Sequence, residues 1–204
     1  ILFLEYHRQF THSLFFIPFG SLIIALLIFP LLKRSMGFKT VYLASLLGYA
    51  THGLLDACTS YGTQLFWPFS NERVTWNNIS IVDPLFTIPI IILVGTAIKT
   101  RKRLFSFFAI GWATFYLSLG FVQYERTLSA AIELAHSRGH NAERLTLKPS
   151  FGNLILWKSI YKHEEEFYVD AIRTVKSSTW CSGESIRAFD YKYHLTTLDD
   201  ESQQ

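Results

Sequence analysis

The chain has 204 residues, 50% hydrophobic and 16% aromatic, with only 17% charged, against roughly 25% in soluble domains. Its formal net charge of +3 is modest, and the basic residues sit beside apolar runs, a pattern of membrane flanks rather than of a nucleic-acid surface. Cys58 and Cys181 form neither a CxxC nor a zinc-finger spacing.

The apolar residues concentrate in the first 122 positions. Residues 1–12 form a short polar-aromatic segment carrying Glu5, His7, Arg8 and His12. Because the chain opens in mid-motif, a preceding segment is expected. Residues 14–32 carry no charge and are long enough to cross a hydrocarbon layer of roughly 30 Å. Pro18 and Gly20 predict a kinked or late-starting helix, and Thr11 or Ser13 could cap it. A basic loop, 33–39, leads to a second span at 40–58, less apolar and carrying His52 and Asp56. Residues 59–78 read as a long loop whose Trp67, Phe69 and Trp76 suit a membrane interface. A third span, 79–98, has Asp83-Pro84 at its start. A second basic loop, 99–103, precedes a fourth span at 104–122.

The two basic loops lie one pair of spans apart, so the positive-inside rule places both in the cytoplasm. The N-terminal segment, the end of span two and the start of span three then face outward. His7, His12, His52, Asp56 and Asp83 converge near that non-cytoplasmic surface. Residues 123–140 read as an amphipathic helix or linker, with Leu128, Ala131, Ile132, Leu134 and Ala135 on a helical period and Gly139 ending it. Two strands are predicted at about 153–162 and 166–175, with a turn near His163–Glu165. A further strand and a short helix follow in the same small extramembrane domain, 141–197, which also lies outside. The tail at 198–204 reads as disordered. The predicted fold class is thus an α-helical multi-pass membrane protein with about four transmembrane helices and a small C-terminal α+β domain.

In a helix His52 and Asp56 share one face, with Thr59 beyond them. Such a pair can grip a divalent metal ion, and ionisable groups in an apolar segment are usually functional; a buried hydrogen bond that only ties helices together is the plainer alternative. A bound metal can acidify its water and polarise a phosphoryl or carbonyl oxygen. His12 and His52 are the favoured histidine ligands, with His7 a further candidate. Asp83 and Glu5 are candidates for a general base, a ligand or an outer partner of the ligands, and Asp83 also suits the N-cap of span three. His136, His140, His163 and His194 read as dispersed surface residues. No HExxH, GxSxG or Walker motif is present.

The segment HRQFTHS at 7–13 resembles the HRGxTHS signature of the YdjM-like, LexA-regulated, membrane-bound metal-dependent hydrolases. HGLLDACTSYGTQLFWPFS at 52–70 resembles their HxxLDxxTxYGTxxxxPFS block, VDPLF at 82–86 their second aspartate-proline element, and 148–169 their C-terminal segment. The resemblance implies a multi-pass protein of the bacterial inner membrane, distantly akin to zinc phospholipase C and nuclease P1-type enzymes. It implies His7, His12, His52 and Asp56 as metal ligands, with zinc the expected ion. The family glycine after His-Arg is Gln9 here, and an upstream Pro-Asp-x-Asp carboxylate element of the family would precede the first residue. The function expected is metal-dependent hydrolysis of a phosphoester, such as a phospholipid, at the outer membrane face, with the lipid bilayer as partner and no nucleic acid. The alternative is a non-enzymatic transporter or scaffold with a structural His/Asp cluster.

Overall fold

The computed structural model describes residues 8–188. They form four α-helices followed by a five-stranded antiparallel sheet. The helices are α1 (Ile17–Leu32), α2 (Phe38–Cys58), α3 (Pro84–Thr100) and α4 (Arg103–Ser137), with a single 3-10 turn, Phe10–His12, ahead of them. The strands are β1 (Glu143–Pro149), β2 (Leu156–His163), β3 (Glu166–Thr174), β4 (Ser178–Cys181) and β5 (Ser185–Arg187). The chain divides into two compact units, Ile1–Tyr124 with Lys148–Leu154, and Glu125–Leu147 with Ile155–Gln204.

In the first unit, α1 starts late because the chain enters through a turn with Pro18 in its opening positions. Ser13 holds that turn. It is fully buried, its hydroxyl accepts from the Phe16 amide and donates to the Phe10 carbonyl. Gly20, Ser21 and Ala25 are the small buried residues of α1, the type that lets two apolar helices approach closely. The helix α3 begins at Asp83, whose side chain accepts from the amides of Leu85 and Phe86. The long segment between α2 and α3 is folded onto the helix ends. Thr63 and Val74 form a two-way backbone bridge, the Trp76 amide donates to the Ala57 carbonyl, and the Asn78 amide to that of Cys58. The Trp67–Pro68 peptide is cis.

Among the described residues, only α4 is both long and apolar enough to cross a membrane. At 1.5 Å per residue, α1 and α3 reach only about 24–26 Å, short of a roughly 30 Å layer. The helix α2 has the length but interleaves Ser, Thr, Tyr, His and Asp with its apolar residues. Four full-length spans are therefore not what the helices themselves display. Apolar side chains are nonetheless turned outward along them, among them Leu27 and Leu31 on α1 and Ile91 and Ile98 on α3. The fourth apolar segment and the amphipathic stretch after it are one helix rather than two, since no glycine or proline interrupts 121–137.

In the second unit, the helical face that is buried comprises Thr127, Ala130, Ala131, Leu134 and Ala135, while the expected Ile132 is exposed. Gly139, at φ +73°, ends α4 as expected, with the His140 amide returning to the Ala135 carbonyl, a left-handed C-cap that a side chain would resist. Strands β2 and β3 match the predicted pair closely and are joined by two residues. Their register sets Trp157 against Ile172, Ser159 against Asp170 and Tyr161 against Tyr168. Trp157, Ser159 and Tyr161 alternate inward with Asp170, Ile172 and Thr174, as a one-sided sheet demands. Strands β4 and β5 both pair with β3. β1 was not expected, and no short helix follows the sheet among the described residues. Both cysteines are free thiols, Cys58 buried and Cys181 exposed. The tail at 198–204 and His194 lie outside the described residues.

Candidate metal centre

The N-terminal turn and the last turns of α2 meet over Gly53. A Cβ at that position would stand 3.1 Å from the His12 carbonyl oxygen, so the glycine lets the turn lie directly on the helix. Two backbone bonds fix the approach: the Gln64 amide donates to the Arg8 carbonyl and the Leu14 amide to that of Leu65. The left-handed residue of the turn is Arg8, at φ 58°. Gln9, at φ −89°, does not need the backbone freedom of the family glycine it replaces.

This docking brings together side chains 40 residues apart. His12 Nε2 lies 3.2 Å from His52 Nε2 and 3.2 Å from Asp56 Oδ2, while His52 Nε2 lies 4.0 Å from the same oxygen. In a tetrahedral zinc site with ligand bonds of 2.0–2.1 Å, neighbouring ligand atoms stand about 3.3 Å apart. The three atoms thus occupy one face of such a site within a small adjustment of His52. His52 is the most exposed of the three, at 58% of its side chain, with His12 and Asp56 at 16%. The cluster is open to approach on that side.

The surroundings orient the cluster. Thr11 Oγ1 is 2.8 Å from His12 Nδ1, which fixes the ring and leaves Nε2 to face inward. Metal-ligating histidines regularly have such a partner on the second nitrogen. Arg8 Nε is 3.2 Å from Asp56 Oδ2, and its Nη1 donates to Thr59 Oγ1 at 3.3 Å. Thr59 in turn donates to the Asp56 carbonyl. The Arg8 guanidinium also lies over the Tyr61 ring, 5.0 Å from its centroid, a cation–π contact.

Of the residues expected from the sequence, His12, His52 and Asp56 form the group able to hold a metal ion. His7 and Glu5 lie outside the described residues. Asp83 is not in the group. It is 3% exposed, and its Oδ1 receives the Leu85 and Phe86 amides at 3.0 and 3.2 Å. Its Oδ2 receives the Tyr116 hydroxyl at 2.8 Å. A carboxylate with both oxygens so engaged is a helix cap, the N-cap role its sequence also suggested, rather than a base or a ligand. The sequence assigns Thr11 only a capping role and assigns Arg8 and Tyr61 no part in the metal centre. Thr11 carried a signal, being a hydroxyl beside a candidate ligand, whereas the stacking of Arg8 on Tyr61 arises only from the fold.

A second cluster lies in the other unit. His140 and His163 stack with centroids 4.3 Å apart at 16°, so they are not dispersed surface residues. His140 Nδ1 meets the Tyr161 hydroxyl at 3.0 Å, and that hydroxyl also receives Arg138. Arg138 grips the buried Asp170 through two bonds of 2.8 and 2.9 Å, which raises its own affinity for its proton. Desolvation, then the nearby His163 and Arg138, lowers the pKa of His140 from its ordinary value.

The sequence model of the YdjM inner membrane protein family matches residues 1–127, which include the N-terminal turn and the whole of the cluster. The chain is also 33% identical over 87 residues to the uncharacterized protein YfhP of Bacillus subtilis (strain 168), covering 43% of this chain. The chain spans about a quarter (26%) of that relative's length. No solved structure matches it. The chain belongs to the YdjM inner membrane protein family.

Proposed function

We propose that this member of the family is a membrane-bound, metal-dependent hydrolase acting on a phosphoester at the outer membrane face. The observation that carries the reading is the convergence of His12 Nε2, His52 Nε2 and Asp56 Oδ2 from two separate segments of an otherwise apolar unit. Three facing ligand atoms at a half-open site are the donor set expected of a catalytic zinc centre, which keeps a position for water or substrate. When bound, such an ion supplies Lewis acidity that polarises a phosphoryl oxygen and acidifies water. With Nε2 on the ion, His12 Nδ1–H would donate to Thr11 Oγ1, which holds the ring in place. Arg8 holds Asp56 in place and sets a fixed positive charge beside the ligands, where a phosphoryl oxygen would be received. His7 and Glu5, one and three positions before Arg8, are proposed as a further ligand and a general base. Distant kinship to zinc phospholipase C-type enzymes belongs to the same proposal.

The membrane arrangement is part of the reading. With neighbours to share the span and a thinned lipid layer around short helices, α1 to α3 join α4 in a multi-pass bundle. Their outward apolar side chains support this, as do the basic loops at 33–39 and 99–103, which favour the cytoplasm and put the metal centre at the non-cytoplasmic face.

A structural clasp is the competing reading, favoured by one observation: Arg8 Nε already lies 3.2 Å from the oxygen a metal would use. Metal content separates the two. Full-length protein, purified with its native N-terminus, is to be compared with a His52→Ala/Asp56→Ala variant by mass spectrometry. Stoichiometric zinc in the wild type, lost in a double variant that still inserts and purifies, supports the hydrolase and justifies a phosphodiester and phospholipid screen. A well-folded wild type that takes up no metal after reconstitution leaves the clasp.

A further inference from the structure

We propose that a cleft beside the metal centre binds the phosphoryl anion of the substrate, with Lys148 as its positioning cation. This rests on the hydrolase reading and adds the substrate's charged end to it. The cleft has a volume of about 350 Å³ and a polar side formed by Ser60, Tyr61, Ser80 and Lys148. Volumes of roughly 300–1,000 Å³ are typical of small-ligand sites. It adjoins the metal centre through Tyr61, whose ring carries the Arg8 guanidinium, while Arg8 holds Asp56.

The cleft is built by folded backbone. The Val82 carbonyl accepts from the Gly152 amide at 3.2 Å and from the Ser80 hydroxyl at 3.0 Å, pinning segment 148–154 against the residues before α3. Gly152 takes φ +68°, and a Cβ there would press on Pro84 at 3.3 Å. Lys148 is thereby delivered to the cleft wall.

The charge of the cleft has one sign. No lining residue is acidic, and Lys148 has no ion pair among the described residues. Arg8 adds a second cation behind Tyr61. Lys148, with the Ser60 hydroxyl in the same lining, fits the oxygens of a phosphate. The remaining wall is Ile81, Val82 and Phe151, which are 56%, 54% and 73% exposed. An apolar rim beside an anion pocket accommodates a phosphate borne on a lipid, although free phosphate carries the same chemistry.

The test uses the full chain in phosphatidylcholine nanodiscs, with phosphatidic acid in the bilayer or inorganic phosphate in the buffer as probes. Bound probe and bound metal are read by mass spectrometry on the same samples. Lys148→Gln should weaken phosphatidic acid binding about tenfold, the scale of one charged hydrogen bond. Lys148→Arg should restore it, and both variants should keep the wild-type metal content. Val82→Trp, which fills the cleft from its exposed rim, should abolish binding. Displacement of phosphatidic acid by inorganic phosphate assigns the pocket to the free anion, and lack of displacement assigns it to the lipid headgroup. A wild type that binds neither probe, or Lys148→Gln and Val82→Trp variants that bind like wild type, overturns the cleft. Metal-free wild type that still loses phosphatidic acid binding on Lys148→Gln overturns the hydrolase reading and leaves the cleft standing.

Discussion

The two ring nitrogens of His12 have different partners, Thr11 on Nδ1 and the cluster on Nε2. Removing the first should therefore be felt through the second. Thr11→Val keeps the shape and deletes the hydroxyl, and should lower metal affinity about 10–100-fold, the usual effect of losing such a partner. Competition with a zinc chelator measures it, and an unchanged affinity would show that the hydroxyl does not orient the ring. Gly53→Ala tests the backbone instead. Alanine gains roughly 0.5–1 kcal/mol over glycine in a helix interior, so the fold should not suffer from propensity. The added Cβ must push back the His12 carbonyl, 3.1 Å away. Metal retention should fall while thermal stability changes little. In the second unit His140 gives a pH dependence. Its folded pKa lies below the unfolded value of about 6.5, so the unfolded chain takes up the proton first. Stability from this group is present above about pH 6.5 and declines as pH falls toward the folded pKa. His140→Phe keeps a ring beside His163 and should flatten the acid limb of a thermal-unfolding profile between pH 5 and 8.

Helix α3 shows how much an element's boundary decides. The Asp-Pro pair was legible as a helix start, because aspartate at the N-cap satisfies free amides and proline at the next position loses nothing there. The bond from Tyr116 was not legible, since it joins residues 33 apart. Asp83→Asn preserves an acceptor for both amides and should keep metal content at the wild-type level. Asp83→Ala removes the cap, at about 0.5–2 kcal/mol, and leaves the buried Tyr116 hydroxyl unpaired, at about 1–3 kcal/mol. Its melting temperature should drop, and a loss of metal without any drop would instead return Asp83 to the site. The same logic sorts the other elements. The β2–β3 pair and the end of α4 at Gly139 follow from local alternation and turn chemistry, so the sequence displays them. β1 carries a polar, loop-like composition and is made a strand by pairing with β2, which periodicity does not reveal. The helix–spacing argument for His52 and Asp56 held because it is local. That Arg8 would share Asp56 with them depends on a turn docking across Gly53, a contact between distant segments.

For the whole molecule, sidedness is the property on which the proposed chemistry depends, because a metal centre at the outer face meets different lipids and solutes from one in the cytoplasm. The reading places both basic loops inside and the C-terminal sheet outside, and the chain supplies its own reporter. Cys181 is exposed, whereas Cys58 is 5% exposed at the end of α2. A membrane-impermeant maleimide applied to intact spheroplasts should therefore label the wild type at Cys181 alone. Cys181→Ser should abolish the labelling, and Ser35→Cys or Lys102→Cys, introduced into the basic loops of that variant, should react only after lysis. Labelling of Cys181 that requires lysis, with the loop cysteines reactive in intact spheroplasts, would invert the molecule. Charge bias in short loops fixes orientation only when enough spans cross to carry it, so span number is tested with one further cysteine, Asn71→Cys, in the 59–78 segment. With all of 8–137 crossing four times, the two loop cysteines share a side. With α4 as the sole span, Ser35→Cys and Lys102→Cys would likewise share a side and oppose Cys181, but Asn71→Cys would side with them, whereas in a four-span bundle it reacts in intact spheroplasts. Only agreement of Ser35→Cys with Lys102→Cys, opposition of both to Cys181, and labelling of Asn71→Cys in intact spheroplasts together fit a four-span bundle that opens its histidines and Asp56 to the outer surface.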